Sequence, residues 1–161
     1  MILHAGLIAR RVSGRWLGAL IEGPAGAGKS DLALRALSAG FRLVADDRVL
    51  VFASEGRLYG RAPDALAGLI EVRGLGVIPR EHLSFARIAL CVRCAREPDQ
   101  VERMPDLAPT SILSVDTPTA DLWPFEASAP AKLSAMLEHL GARAQERYQA
   151  GSASPGGRVG G

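Results

Sequence analysis

The sequence predicts an α/β fold, and three observations carry that expectation. The run Gly23-Pro24-Ala25-Gly26-Ala27-Gly28-Lys29-Ser30 lies between a short apolar segment and a pattern of Leu and Ala at helical spacing. Strand, glycine loop and helix in that order form one unit of an α/β sheet. Apolar runs of strand length recur along the rest of the chain, punctuated by Ser13-Gly14 and Glu55-Gly56. Hydrophobic residues make up 48% of the 161 positions and charged ones 22%, enough to bury the core of one globular domain.

The elements follow in order. Residues 2–9 and 16–22 read as strands joined by a hairpin turn at Ser13-Gly14. After the glycine loop, Asp31 to Leu37 is a helix that Gly40 closes. Phe41 to Ala45 is a strand ending at Asp46-Asp47. Val49 to Ala53 and Leu58 to Gly60 pair around Glu55-Gly56-Arg57. Pro63 to Leu69 reads as a short helix, with Pro in its first turn. Ile70 to Ile78 reads as a strand running into a glycine-flexible loop. Residues 86–93 form a strand, 95–106 a polar connection, 110–116 another strand, and 118–130 an irregular stretch. From Ala131 to about Gln149 a helix puts Leu133, Met136, Leu137 and Leu140 on one face. The domain is expected to span 1–149, and the Gly- and Ser-rich residues 150–161 to be a disordered tail.

The glycine loop satisfies the P-loop pattern: a glycine, four residues, then Gly-Lys-Ser. Gly26 and Gly28 let backbone N–H groups approach phosphate oxygens. Lys29 neutralises the transferring phosphate, and Ser30 holds a magnesium ion. The helix that follows points its free N–H groups at the anion. ATP and Mg2+ are therefore the expected ligands. Phosphoryl transfer also needs a group that orients or deprotonates the acceptor. Asp46 and Asp47 end a strand, where α/β proteins line their ligand crevice. One carboxylate suits the proton, the other the metal or a nearby base; a solvated Asp-Asp turn is the competing reading. Glu71 reads either as a second carboxylate for magnesium or as an outward strand residue paired with Arg73 on the same face. His4 by itself reads as an inconsequential strand residue. Arg103 is either solvated or able to reach a transferred phosphate.

Bulk features exclude other classes. A net charge of +2 with no Lys/Arg stripe argues against nucleic acid. Lys29 is one of only two lysines, the other being Lys132. Cys91 and Cys94 have Cys-x-x-Cys spacing, but no second Cys/His pair follows to complete a zinc site. They read as core residues in preference to a redox pair. No apolar run approaches a membrane span, and Met1 to Ile8 lacks the basic start of a signal peptide, so a cytoplasmic protein is expected.

Together these residues resemble the catalytic domain of the HPr kinase/phosphorylase family, serine kinases of the phosphocarrier protein HPr. Three segments carry the resemblance: Gly23 to Ser30 with Asp31 and its Ala/Leu helix, Arg42-Leu43-Val44-Ala45-Asp46-Asp47-Arg48-Val49, and Ile70-Glu71-Val72-Arg73-Gly74-Leu75-Gly76-Val77-Ile78. The resemblance covers roughly residues 3–140. It implies a P-loop kinase of the HPr kinase/phosphoenolpyruvate carboxykinase-like type, with a mixed central sheet and flanking helices. It implies Asp46 as the base that takes the serine proton, Lys29 on the transferring phosphate, and Ser30 and Glu71 on magnesium. His4 resembles the family's active-site histidine ahead of the P-loop, at a slightly longer interval. Arg103, in Glu102-Arg103-Met104, resembles the family's Asp-Arg-Leu arginine. It further implies HPr as substrate and a homo-oligomer, a hexamer. The chain is similar to the short single-domain form of some proteobacteria. The family's late Pro-Val-x-x-Gly-Arg segment, tied to dephosphorylation, has no counterpart. Trp123-Pro124-Phe125-Glu126-Ala127-Ser128 stands in its place, so the resemblance implies kinase activity more directly than phosphoserine cleavage.

Two other classes compete. A small-molecule kinase sharing only the P-loop would need an arginine-rich lid, and no such segment is visible. A nucleotide-sensing module without catalysis would not need Asp46, Asp47 and Glu71 together.

Overall fold

The computed structural model describes residues 1–102 and 107–152, the side chains of 144–152 excepted. Strands β1 (Ile2–Leu3), β2 (Ala5–Val12) and β3 (Arg15–Glu22) open the chain, followed by helix α1 (Lys29–Leu37). Then come β4 (Arg42–Ala45), β5 (Val49–Ser54), β6 (Arg57–Arg61), β7 (Leu69–Val72), β8 (Gly76–Pro79) and β9 (Ala86–Cys94). Strands β10 (Pro109–Ile112) and β11 (Val115–Leu122) lead to helix α2 (Ala129–Ser152).

The main sheet is mixed, as expected of this α/β chain. Its order is β1-β5-β6-β9-β3-β2-β4, with β11 beside β9 and β10 beside β11. Strands β3, β9 and β11 run parallel to one another, whereas β2 is antiparallel to both β3 and β4. The carboxyl ends of β3, β9 and β11 therefore share one edge, with β3 between β2 and β9.

Each face of the sheet buries its own core. Ile8 and Val12 of β2 with Ala19 and Ile21 of β3 pack against Leu32, Ala33 and Ala36 of α1 and Leu133 and Leu137 of α2. The alternate residues Ala5, Leu7 and Ala9 of β2 and Leu20 of β3 face a second cluster, closed by Val49, Val51 and Leu58 of the β5–β6 hairpin. The period of two along β2 makes this division. On β9 the register against β3 shifts by a residue between Gly18 and Ala19, so Ala89 is extra. Ile88 faces the hairpin cluster, and after this bulge Leu90 and Val92 face the helices. Helix α1 ends where the Phe41 N–H bonds the Ala36 carbonyl at 3.1 Å, across Gly40 at φ 94. Only glycine takes that left-handed step at little cost.

Five expectations need correction. Pro63 to Leu69 is not a helix: only Asp64–Leu66 turns, as one 3₁₀ step, and Leu69 already pairs with Pro79. Ile70 to Ile78 is not one strand with a loop but the hairpin β7–β8, a separate two-stranded sheet. Residues 110–116 are two strands reversed at Leu113-Ser114, both at positive φ. That turn lacks the glycine that would announce it. The stretch expected to be irregular after Pro118 continues β11 to Leu122, with Pro118 opposite Pro109 on the edge strand β10. Finally, α2 starts at Ala129, before the expected Ala131, and runs through Ser152, past the expected helix end near Gln149. The rest of the expected tail lies outside the described residues.

Candidate active site

The P-loop leaves the carboxyl end of β3 and enters α1 with Gly28 as N-cap at φ 97. Its tip, Pro24 to Gly26, is exposed. Nothing stands within 4 Å of where a Cβ on Gly26 would project, so the cradle is open to a phosphate. The Ala27 N–H bonds the Pro24 carbonyl at 3.1 Å and tightens the loop. Lys29 folds back over it, its Nζ donating to the Gly23 and Pro24 carbonyls at 2.5 and 3.1 Å. The ammonium thus sits over the loop's own backbone, beside the helix N-terminus.

Asp46 is the hub of the site. It follows β4 and is 5% exposed. Its Oδ1 accepts the Ser30 hydroxyl at 2.8 Å, and its Oδ2 accepts the backbone N–H of Glu71 at 2.9 Å. One buried carboxylate therefore joins the P-loop, β4 and the β7–β8 hairpin. Its neighbour is different in every respect. Asp47 is exposed at φ 66, and the Arg48 N–H bonds the Asp46 carbonyl across it at 2.7 Å. That three-residue turn is costly for a non-glycine residue, and such strain concentrates at functional sites. The Arg48 guanidinium lies 3.9 Å from the Asp47 carboxylate, both well exposed.

Other expected residues are placed as follows. Glu71 reaches the site through its main chain; its exposed carboxylate makes no hydrogen bond or ion pair among the described residues, with Arg73 or any other. His4 is exposed and precedes Ala5, whose register partner is Glu22, the last residue before the P-loop. His4 therefore stands at the edge of the sheet from which the P-loop leaves β3, with no side-chain hydrogen bond or ion pair among the described residues. Arg103 lies outside the described residues. Among the described residues no group of three His, Cys, Asp or Glu is arranged around one point. The donors beside Ser30 are a hydroxyl and carboxylates, hard oxygen ligands of the kind magnesium takes with substrate phosphates supplying the rest.

Three residues at the site, Phe125, Arg35 and Glu22, had no role in the sequence reading, and a fourth, Cys94, was read only as a core residue. Cys94 packs on Gly23: a Cβ there would lie 3.1 Å from the Cys94 Cβ. Burial pushes its thiol up to about 11, against the pull of Lys29. Cys91 faces the opposite core cluster, so the two thiols are free and point to different sides of β9. Phe125 lies on Gly28, and Arg35 of α1 holds the turn that carries it, bonding the Pro124 carbonyl and, at 3.2 Å, the Glu126 carbonyl. Arg35 at four residues from Asp31 was a legible ion pair, 2.9 Å in the structure, but its grip on a turn about 90 residues away was not. Glu22, just before the loop, has its carboxyl raised by burial, with Arg93 across the register opposing. A cavity of about 740 Å³ lined by Arg15, Leu17, Arg87 and Leu140 opens at the far end of β3 and shares no residue with the P-loop.

Residues 3–88 match the HPr Serine kinase C-terminal domain family. The HPr kinase/phosphorylase of Clostridium tetani is 50% identical over 62 residues, 38% of this chain and 20% of that protein. That of Halalkalibacterium halodurans is 45% identical over 84 residues, 47% of this chain and 27% of its own length. The matches thus span about a fifth to a quarter of these curated relatives. The solved HPr(Ser) kinase/phosphatase from Coxiella burnetii shares the fold, with a TM-score of 0.68 at 22% identity over 95% of each chain.

Proposed function

This chain belongs to the HPr Serine kinase C-terminal domain family, and on that premise we propose that it is an ATP-dependent kinase phosphorylating a serine of the phosphocarrier protein HPr. The observation that carries the reading is the Ser30–Asp46–Glu71 connection, which ties the phosphate loop to an acid pair and to the glycine-bearing hairpin. A phosphate loop alone would need none of it.

The residues divide the work. Gly23 to Ser30 binds the phosphates, and Lys29 leaves its carbonyl partners to neutralise the transferring group. Ser30 and Glu71 would hold magnesium, which when bound neutralises charge on the phosphate oxygens. Asp46, buried with both oxygens engaged, fixes the Ser30 hydroxyl and the Glu71 backbone. That arrangement favours a positioning role for Asp46 and moves the proton-accepting role expected of it to Asp47. Asp47 is exposed beside it and free to meet an incoming serine. A base must reach the proton it takes, and exposure decides between two adjacent carboxylates. His4 and Arg103 remain candidates for contacts with the transferred phosphate.

The acceptor side favours a protein over a metabolite. Leu75 and Val77 of the hairpin that carries Glu71 are 74% and 63% exposed. An apolar edge on the hairpin bonded to Asp46 suits a docking protein. Among the described residues no helix is long and apolar enough to cross a membrane. The same reading places the chain in the cytoplasm as a homo-oligomer, a hexamer by resemblance, with residues 1–149 as the kinase domain. Incubation with ATP, magnesium and purified HPr, against a panel of metabolites, tests it. Phosphate on HPr is expected; metabolite turnover without labelled HPr would establish the small-molecule reading instead.

A further inference from the structure

The P-loop strand has unlike neighbours on its two sides. Toward β2 and β4 stand the buried Asp46, bonded to Ser30, and the exposed Asp47, which the proposed function sets at the reacting phosphate. Toward β9 and β11 stands the turn Trp123 to Glu126, which follows the carboxyl end of β11. In open α/β sheets the ligand lies across the carboxyl ends of the parallel strands, here β3, β9 and β11. With the transferable phosphate on the acid side, the rest of a nucleotide must leave toward β9 and β11.

Phe125 stands on that side. A Cβ built on Gly28 would lie 2.8 Å from its Cζ and 2.9 Å from its Cε1, so the ring rests directly on the N-cap of α1. It is nevertheless 53% exposed, so a face of the ring is open to a ligand. The turn is fixed rather than loose. Gly28, Asp31 and Arg35 share one face of α1, and Arg35 holds the Pro124 and Glu126 carbonyls while paired with Asp31. Glu126 is in turn paired with Lys132 of α2. Two helices thus hold one half-exposed aromatic ring against the phosphate cradle.

We propose that Phe125 forms the nucleotide-base subsite, a stacking platform for a purine whose phosphates lie on Gly23 to Ser30. The subsite rests on the reading of the P-loop as an ATP site. An aromatic ring offers a base a π-face without reading its edge, so the subsite selects for the presence of a base more than for its identity.

The test compares magnesium-ATP with magnesium-tripolyphosphate, which presents the phosphates without a base, by titration calorimetry. In the unaltered protein ATP binds more tightly than tripolyphosphate. Phe125→Leu keeps an apolar contact on Gly28 and removes the ring; it weakens ATP about tenfold, the scale of one base–aromatic stack, and leaves tripolyphosphate within twofold. Phe125→Trp retains the ATP preference. Equal losses of ATP and tripolyphosphate in Phe125→Leu would overturn the subsite and make the ring a prop for the loop. Equal affinity of the unaltered protein for both ligands would also overturn it, while leaving the phosphate site standing. Binding of neither ligand would overturn the subsite and the P-loop reading together. Thermal unfolding of Phe125→Leu within a few degrees of the unaltered protein excludes misfolding as the cause.

Discussion

Ser30 donates its hydroxyl hydrogen to Oδ1 of Asp46 at 2.8 Å, and that bond closes the first turn of α1 onto the end of β4. The second oxygen of Asp46 holds the Glu71 N–H, so this buried carboxylate has no orientation left to choose. The site is therefore ordered before any substrate arrives, and substitutions in it should separate stability, nucleotide binding and chemistry.

Asp46→Asn is the first such case. The amide keeps the shape, but either its NH2 faces the donor-only Glu71 N–H, or it donates to the Ser30 oxygen and takes away the acceptor of the Ser30 hydroxyl hydrogen. Leaving a buried group mismatched costs about 1–3 kcal/mol. We expect a lower urea midpoint and an ATP affinity that no longer rises with magnesium. A midpoint equal to that of the unaltered protein would mean that Asp46 does not hold the loop and hairpin together.

Asp47→Asn should behave in the opposite way. Asparagine tolerates the left-handed backbone at φ 66, so the fold should keep its stability. Loss of the base should lower kcat by about 10²–10⁴ with ATP affinity unchanged. If Asp47→Asn transfers phosphate at the unaltered rate while folded Asp46→Asn does not, the base is Asp46.

Gly28→Ala meets two penalties. The left-handed backbone costs an L-residue about 1–2 kcal/mol, and the new Cβ displaces the Phe125 ring. We expect a lowered melting temperature and weak ATP binding. Adding Phe125→Ala should recover the steric part and not the backbone part. Full recovery of stability in the double variant would show that the ring contact alone is at stake.

The thiols set a limit at high pH. Burial raises both Cys91 and Cys94 from 9.0 to about 11. The folded chain then binds more protons than the unfolded one between those values, so stability falls as pH rises through the window and is insensitive to these groups below it. Urea denaturation from pH 8 to 11, with Cys91→Ala/Cys94→Ala as control, measures this. An identical slope in the control would assign the loss to other groups.

The meeting of the three segments was legible because their signals are local. The P-loop, Asp46-Asp47 and the Glu71 segment are short runs whose residue types announce their work. The turns that the structure reassigned were not legible, since Leu113-Ser114 adopts positive φ with no glycine to signal it. The different surroundings of Asp46 and Asp47 were also hidden. They depend on which of two adjacent side chains faces Ser30, and sequence spacing fixes that only once β4 and β7 are placed. Phe125 was invisible for the same reason: its position depends on Arg35, about 90 residues earlier, holding its turn. Cys91 and Cys94 read correctly as core residues, because three positions along a strand put them on opposite faces.

The most direct measurement is phosphopeptide mapping by mass spectrometry of purified HPr after incubation with this protein, ATP and magnesium. One phosphorylated serine on HPr is expected, absent when Lys29→Ala replaces the unaltered chain. Unmodified HPr in the presence of bound and turned-over ATP would contradict the proposed function.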